Sequence, residues 1–129
     1  MSGARHFIGQ QKLDRETTYV LNIDSVGKGG LHYTTAEGLL SPQSCSENMI
    51  RVAEGCARSF NATPHIWRTA CSDALIPLAR NFKAMSVTVA APPAAESRPD
   101  TLTDIDYAAV ARAVDFSEGV LRRLGRMDA

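Results

Sequence analysis

Residues 17–26 read Thr17-Thr18-Tyr19-Val20-Leu21-Asn22-Ile23-Asp24-Ser25-Val26. β-Branched and aromatic side chains dominate this stretch, which is the composition of a strand. Its nearly continuous apolar run from Tyr19 to Ile23 predicts a strand covered on both faces, as in a sheet with helices packed against it. Gly27, Gly29 and Gly30 follow at once, with Lys28 among them, and predict a turn that exploits positive φ.

The flanking segments extend the pattern in both directions. Upstream, residues 4–11 predict a short helix with Phe7 and Ile8 on its buried side. Downstream, Leu31-His32-Tyr33-Thr34-Thr35 predicts a second, weaker strand. Ser41-Pro42 opens a helix in which Met49, Ile50, Ala53, Cys56, Ala57 and Phe60 recur at spacings of three and four, giving one apolar stripe. Asn61-Ala62-Thr63-Pro64 stops that helix, and His65-Ile66-Trp67 begins a short extended segment. Ser72-Asp73 predicts a helix start, because such side chains satisfy free amides, with the helix running from Ala74 to Arg80. Lys83 to Val89 alternates as a strand does. Residues 90–103 form an Ala- and Pro-rich loop with prolines at 92, 93 and 99. A last helix runs from about Asp106 to Leu124, with Val110, Ala113, Val114, Val120, Leu121 and Leu124 on its apolar face and Gly125 ending it. Arg112, Glu118, Arg122 and Arg123 make its solvated side. Alternating strands and helices predict an α/β layered fold with helices packed on a sheet, as one domain over residues 1–129.

Composition narrows the function classes. Of 129 residues, 44% are hydrophobic and 22% charged, which excludes disorder as the main state. Fourteen basic residues balance fourteen acidic ones, so no net positive field gathers phosphates, and nucleic acid is not an expected partner. Met1-Ser2-Gly3-Ala4-Arg5-His6 lacks the apolar core of a signal peptide, and no apolar run approaches the roughly 20 residues that span a bilayer. A cytoplasmic location with no membrane contact is the expectation. Cys45, Cys56 and Cys71 show no CxxC spacing and read as reduced thiols. His6, His32 and His65 are widely spaced, with no HxH or HExxH pattern. Ser72 has no evident base beside it, which argues against a nucleophilic serine.

Two segments, in this order, resemble the zinc-dependent aminopeptidases of clan MH, the bacterial leucyl aminopeptidase and glutamate carboxypeptidase-like group. Leu21-Asn22-Ile23-Asp24-Ser25-Val26-Gly27 is similar to the family's strand ending in Asn-hydrophobic-Asp. The stretch from Ser72-Asp73-Ala74 through Lys83-Ala84-Met85-Ser86-Val87 to Asp100-Thr101-Leu102-Thr103-Asp104-Ile105-Asp106 resembles the family's Ser/Thr-Asp helix start, the strand after it, and the His-x-x-x-Asp-Thr before its last helix. Gly3-Ala4-Arg5-His6-Phe7 resembles the short helix after the family's Glu-Glu pair. Together these imply the C-terminal half of a zinc-exopeptidase-like catalytic domain, a partial three-layer sandwich on a mixed sheet.

The resemblance also implies chemistry. Family members hold two zinc ions about one water, which polarises the scissile carbonyl and lowers the water pKa. Asp24 matches a zinc-ligand Asp at the C-terminal end of a strand, where open α/β sheets build their sites. The family's first His, bridging Asp and Glu-Glu pair belong to a preceding half that this stretch does not match. Its final His corresponds to Glu96, four residues before Asp100, and no His follows His65. The metal candidates are therefore Asp24 and Glu96, with Asp73 and Asp100 in support and no candidate general base. Each has a plainer reading: Asp24 capping a turn, Glu96 solvated, Asp73 an N-cap, Asp100 and Thr101 bonding loop amides.

The expectation is a zinc aminopeptidase-like segment, inactive alone, with zinc bound weakly or not at all. Its expected partners are a missing N-terminal half or a second copy as a homo-oligomer, and a peptide substrate when complete. The alternative is a non-catalytic binding or assembly module derived from the same family.

Overall fold

Central to the architecture is the strand over Lys83–Ala90, β5, because both of its edges and both of its faces are covered. In the computed structural model, which describes residues 1–68, 71–90 and 101–127, it belongs to a five-stranded mixed sheet. The other strands are β1 (Tyr19–Asp24), β2 (Gly30–Glu37), β3 (Gln43–Ser44) and β4 (Thr63–Trp67). β1 runs parallel to β5, with Tyr19 opposite Lys83 and Asp24 opposite Thr88. β2 runs antiparallel to β5 on the other side, with Leu31 opposite Val89 and Tyr33 opposite Val87. Beyond that overlap, the C-terminal end of β2 pairs with β3. The opposite edge of β2 carries β4 in parallel, so β1 and β4 form the two lateral edges of the sheet.

Strand register sorts the side chains by face. Leu21, Ile23, Met85, Val87, Val89, Leu31 and Tyr33 share one face. Over it lie α2 (Glu47–Phe60) and α4 (Tyr107–Met127), the Phe116 ring 6.0 Å from both Tyr33 and Phe60. Met49, Met85, Phe116 and Val120 are completely buried here, each contributing about 1.5–3 kcal/mol of transfer free energy before the entropy of ordering is set against it. Asn22, Ser86 and Thr34 mark the opposite, more polar face, against which the segment leading into α3 (Leu75–Leu78) packs. The remaining helix, α1 (Ser2–Gln10), lies beside α3.

Helices on a mixed sheet are as the sequence predicts, and the α2 stripe is buried at Met49, Ala53, Cys56 and Ala57. Asn61 ends α2 in the left-handed region, at φ 53°. Several details differ. β1 is an edge strand and is only half-buried, with Ile23 47% exposed, because no described strand lies outside it. β2 is the longer and more buried strand, since it has partners on both edges. Ser41-Pro42 opens no helix: Gly38, at φ 144°, reverses the chain and Gln43–Ser44 joins the sheet, delaying α2 to Glu47. Phe7 is exposed and Ile8 buried on α1. Gly125 does not end α4, which continues to Met127. Val114 and Leu121 are half-exposed, and Phe116 and Ser117 take the buried positions instead. Most of the predicted loop over 90–103 lies outside the described residues.

Candidate functional site

β1 ends where the candidate ligand stands. Asp24 is the last residue of the strand and is exposed, its Oδ1 accepting a hydrogen bond from the Ser25 hydroxyl at 3.0 Å. Ser25 turns the chain through the left-handed region, at φ 55°, and its carbonyl accepts from the Val89 amide. The following turn is tied to the last helix, because the Gly27 carbonyl accepts from the Asp106 amide at 2.8 Å. Asp106 then caps α4, its Oδ1 accepting from the amides of Ala108 and Ala109. The C-terminal end of a strand and a helix start thus meet beside Asp24.

Register carries a polar row across the sheet from this point: Asp24 opposite Thr88, Thr88 opposite His32, and His32 opposite Thr63. His32 Nδ1 lies 2.7 Å from the Thr63 hydroxyl, and its ring centroid is 5.5 Å from that of His65. Burial, then the neighbouring His65, holds the His32 pKa below the ordinary imidazole value, against a smaller opposing effect from Thr63. His6 is exposed on α1, away from this row.

One strand further, a carboxylate that the sequence reading passes over organises the polar face. Glu37 is fully buried at the end of β2. It accepts hydrogen bonds from the Ser72 amide and from the Ser72 hydroxyl, the latter at 2.8 Å, and the Ser86 hydroxyl lies 3.2 Å away. Ser72 and Ser86 oxygens are 2.7 Å apart, and Asn22 donates to Ser86 at 3.2 Å. Thr34 accepts from the Ser86 amide at 2.8 Å. A register shift between Thr34 and Ala36 in the pairing with β4 re-aims the end of β2, so that Glu37 reaches the same pocket as Thr34. The signal in the sequence is a glutamate directly before Gly38 in a run that otherwise stays apolar or hydroxylated.

This cluster is a structural pin. It joins β1, β2, β5 and the segment before α3, and its serines are 2% exposed or less, so no substrate reaches them. Beside it, burial raises the Cys45 thiol to about 11, with a Thr34 hydrogen bond opposing and the Glu37 charge adding; Cys45 is therefore no nucleophile near neutral pH.

Of the predicted site residues, Asp24 lies at the strand end expected of it. Asp73 makes no side-chain cap; α3 begins one residue later than Ala74, and the exposed Asp73 carboxylate sits 3.0 Å from the Met1 amine. Capping falls to Ser72, whose hydroxyl accepts from the Ala74 amide at 3.1 Å. Glu96 and Asp100 lie outside the described residues. Thr101 bonds Asp104 at 3.0 Å, which braces the turn before α4. Among the described residues no three His, Cys, Asp or Glu side chains converge on a point where a metal ion could sit. Asp24 offers oxygen to a cation, yet a zinc site takes three or four protein ligands. The described residues do not fit a zinc centre by themselves. Among them, too, no helix is long and apolar enough to cross a membrane. Comparison with protein-family models finds no match to this chain, and comparison with curated proteins finds none either.

Proposed function

We propose that the chain is a zinc aminopeptidase-like α/β segment, cytoplasmic, that does not hydrolyse peptides by itself. The observation that carries this reading is Asp24, an exposed carboxylate at the C-terminal end of a strand parallel to its neighbour, beside a capped helix start. Open α/β sheets place ligands at such strand ends. The Asn22-Ile23-Asp24 end supports the resemblance to the family's ligand strand, and Glu96 stands where the family has its last His. One exposed carboxylate supplies neither a closed zinc shell nor a general base. Activity on a peptide therefore requires ligands beyond the described residues, and no step of hydrolysis is assigned to this chain.

The test is turnover of an aminoacyl anilide by the purified chain with added zinc. No turnover is expected. Zinc-dependent hydrolysis that disappears in Asp24→Ala would show that the chain completes a site, and the reading would fall.

A second reading, a non-catalytic assembly module from the same family, is favoured by one observation. Among the described residues no strand pairs with the outer edge of β1, and apolar side chains stand exposed beside it.

A further inference from the structure

The two edges of the sheet are not alike. β4 is protected by Pro64, which has no amide hydrogen to offer an incoming strand. β1 contains no proline and no lysine over Tyr19–Asp24, and among the described residues β5 is its sole strand partner. No described strand takes up its outer row of amides and carbonyls, which can therefore receive another strand. Along the same edge, α4 leaves a groove lined by Ile23, Val114, Ser117, Glu118, Leu121 and Arg122. Ile23, Val114 and Leu121 are 47%, 52% and 48% exposed. The Ser117 hydroxyl is already committed to the Ala113 carbonyl, so the floor of the groove asks for apolar contact. At its rim Glu118 and Arg122 form an ion pair at 2.7 Å, one helical turn apart.

We propose that this edge and groove form a two-fold interface with a second copy of the chain. An open strand edge is satisfied by another strand, and β1 of a second copy presents the same open edge. Antiparallel pairing of β1 with its symmetry mate joins two sheets into one and brings the two α4 helices alongside each other in opposite directions. A two-fold axis passing between Glu118 and Arg122 sets the Glu118 of each copy against the Arg122 of the other. The rim is thus complementary to itself, which is what an isologous contact demands. Ile23, Val114 and Leu121 from both copies close over each other beneath that rim. The inference goes beyond the peptidase reading: it uses the backbone edge of β1 and needs no metal on the Asp24 carboxylate, so either can fail alone.

Sedimentation equilibrium from low to high micromolar concentration tests it. The wild-type chain is expected to be a dimer at the upper end. Leu121→Arg, at a half-exposed position and checked for native circular dichroism, places an unpaired charge in the contact and is expected to raise the dimer Kd at least about tenfold. Glu118→Arg and Arg122→Glu are each expected to weaken the dimer, and the double variant to recover it. A wild-type monomer throughout, a dimer insensitive to Leu121→Arg, or a mass that climbs without a limit would overturn the proposal. A double variant no tighter than the single ones would overturn the opposed Glu–Arg pairing.

Discussion

Removing the Glu37 carboxylate is the sharpest test of how this fold is held together. Glu37→Ala withdraws the acceptor for the Ser72 amide and the Ser72 hydroxyl and leaves the Ser86 hydroxyl with a poorer set of partners, all in a fully buried pocket. A buried donor left without an acceptor costs about 1–3 kcal/mol. Ser72 and Ser86 still have each other at 2.7 Å, so one hydroxyl recovers part of its loss. The orphaned Ser72 amide does not. Adding the cavity left by the side chain gives an expected loss of about 3–5 kcal/mol. Against a typical total of about 5–15 kcal/mol for a domain, that is a large fraction. Glu37→Gln keeps the shape and one carbonyl but points an amide group at donors, and about 1–2 kcal/mol is expected. Urea unfolding followed by fluorescence reads both, since Trp67 is the single tryptophan and pairs in register with Glu37. Equal effects of Ala and Gln, or a Glu37→Ala loss below about 0.5 kcal/mol, would refute the view that this carboxylate joins the strands.

Two other consequences are open to simple measurement. His32 has a folded-state pKa below its unfolded value, so the unfolded chain binds the proton more readily; stability is full above the unfolded pKa and falls as pH drops from there through the lowered folded value. Urea midpoints between neutral and mildly acidic pH should fall in wild type and fall less in His32→Gln; equal slopes would show that His32 does not contribute. Gly55 lies within α2, and a methyl group there would meet only the Arg123 guanidinium, at 2.8 Å, which is the movable end of an exposed side chain. Gly55→Ala is expected to stabilise by about 0.5–1 kcal/mol, as measured by thermal melting, and a lower melting temperature would mean that Arg123 cannot move aside.

Local pattern carried most of the fold. The apolar spacing of α2 located the core helix because its stripe faces the sheet and nothing competes with that period. β5 was legible for the same reason in the period of a strand. The reading of β1 as covered on both faces failed because apolar content reports what a strand wants to bury, and the edge position that leaves Ile23 exposed is a property of topology. Val114 and Leu121 misled in the same way: they fit the apolar period of α4, yet they point past the rim of the sheet. β3 has two residues and so no period to detect. At the candidate site, what was legible of Asp24 was its place at the end of a strand. The Glu37 pin was not, because its donors come from residues 35 and 49 positions further along the chain, and only a shift in β-register brings them to the carboxylate.

Zinc binding tests the central functional claim most directly. Asp24 offers one exposed carboxylate, and among the described residues no cluster of three metal-binding side chains surrounds it. Calorimetric titration of zinc into the chelator-treated chain is predicted to show weak heats with no break at a whole-number ratio. Tight stoichiometric binding that is lost in Asp24→Ala would contradict the account, because the chain would then complete a zinc centre by itself.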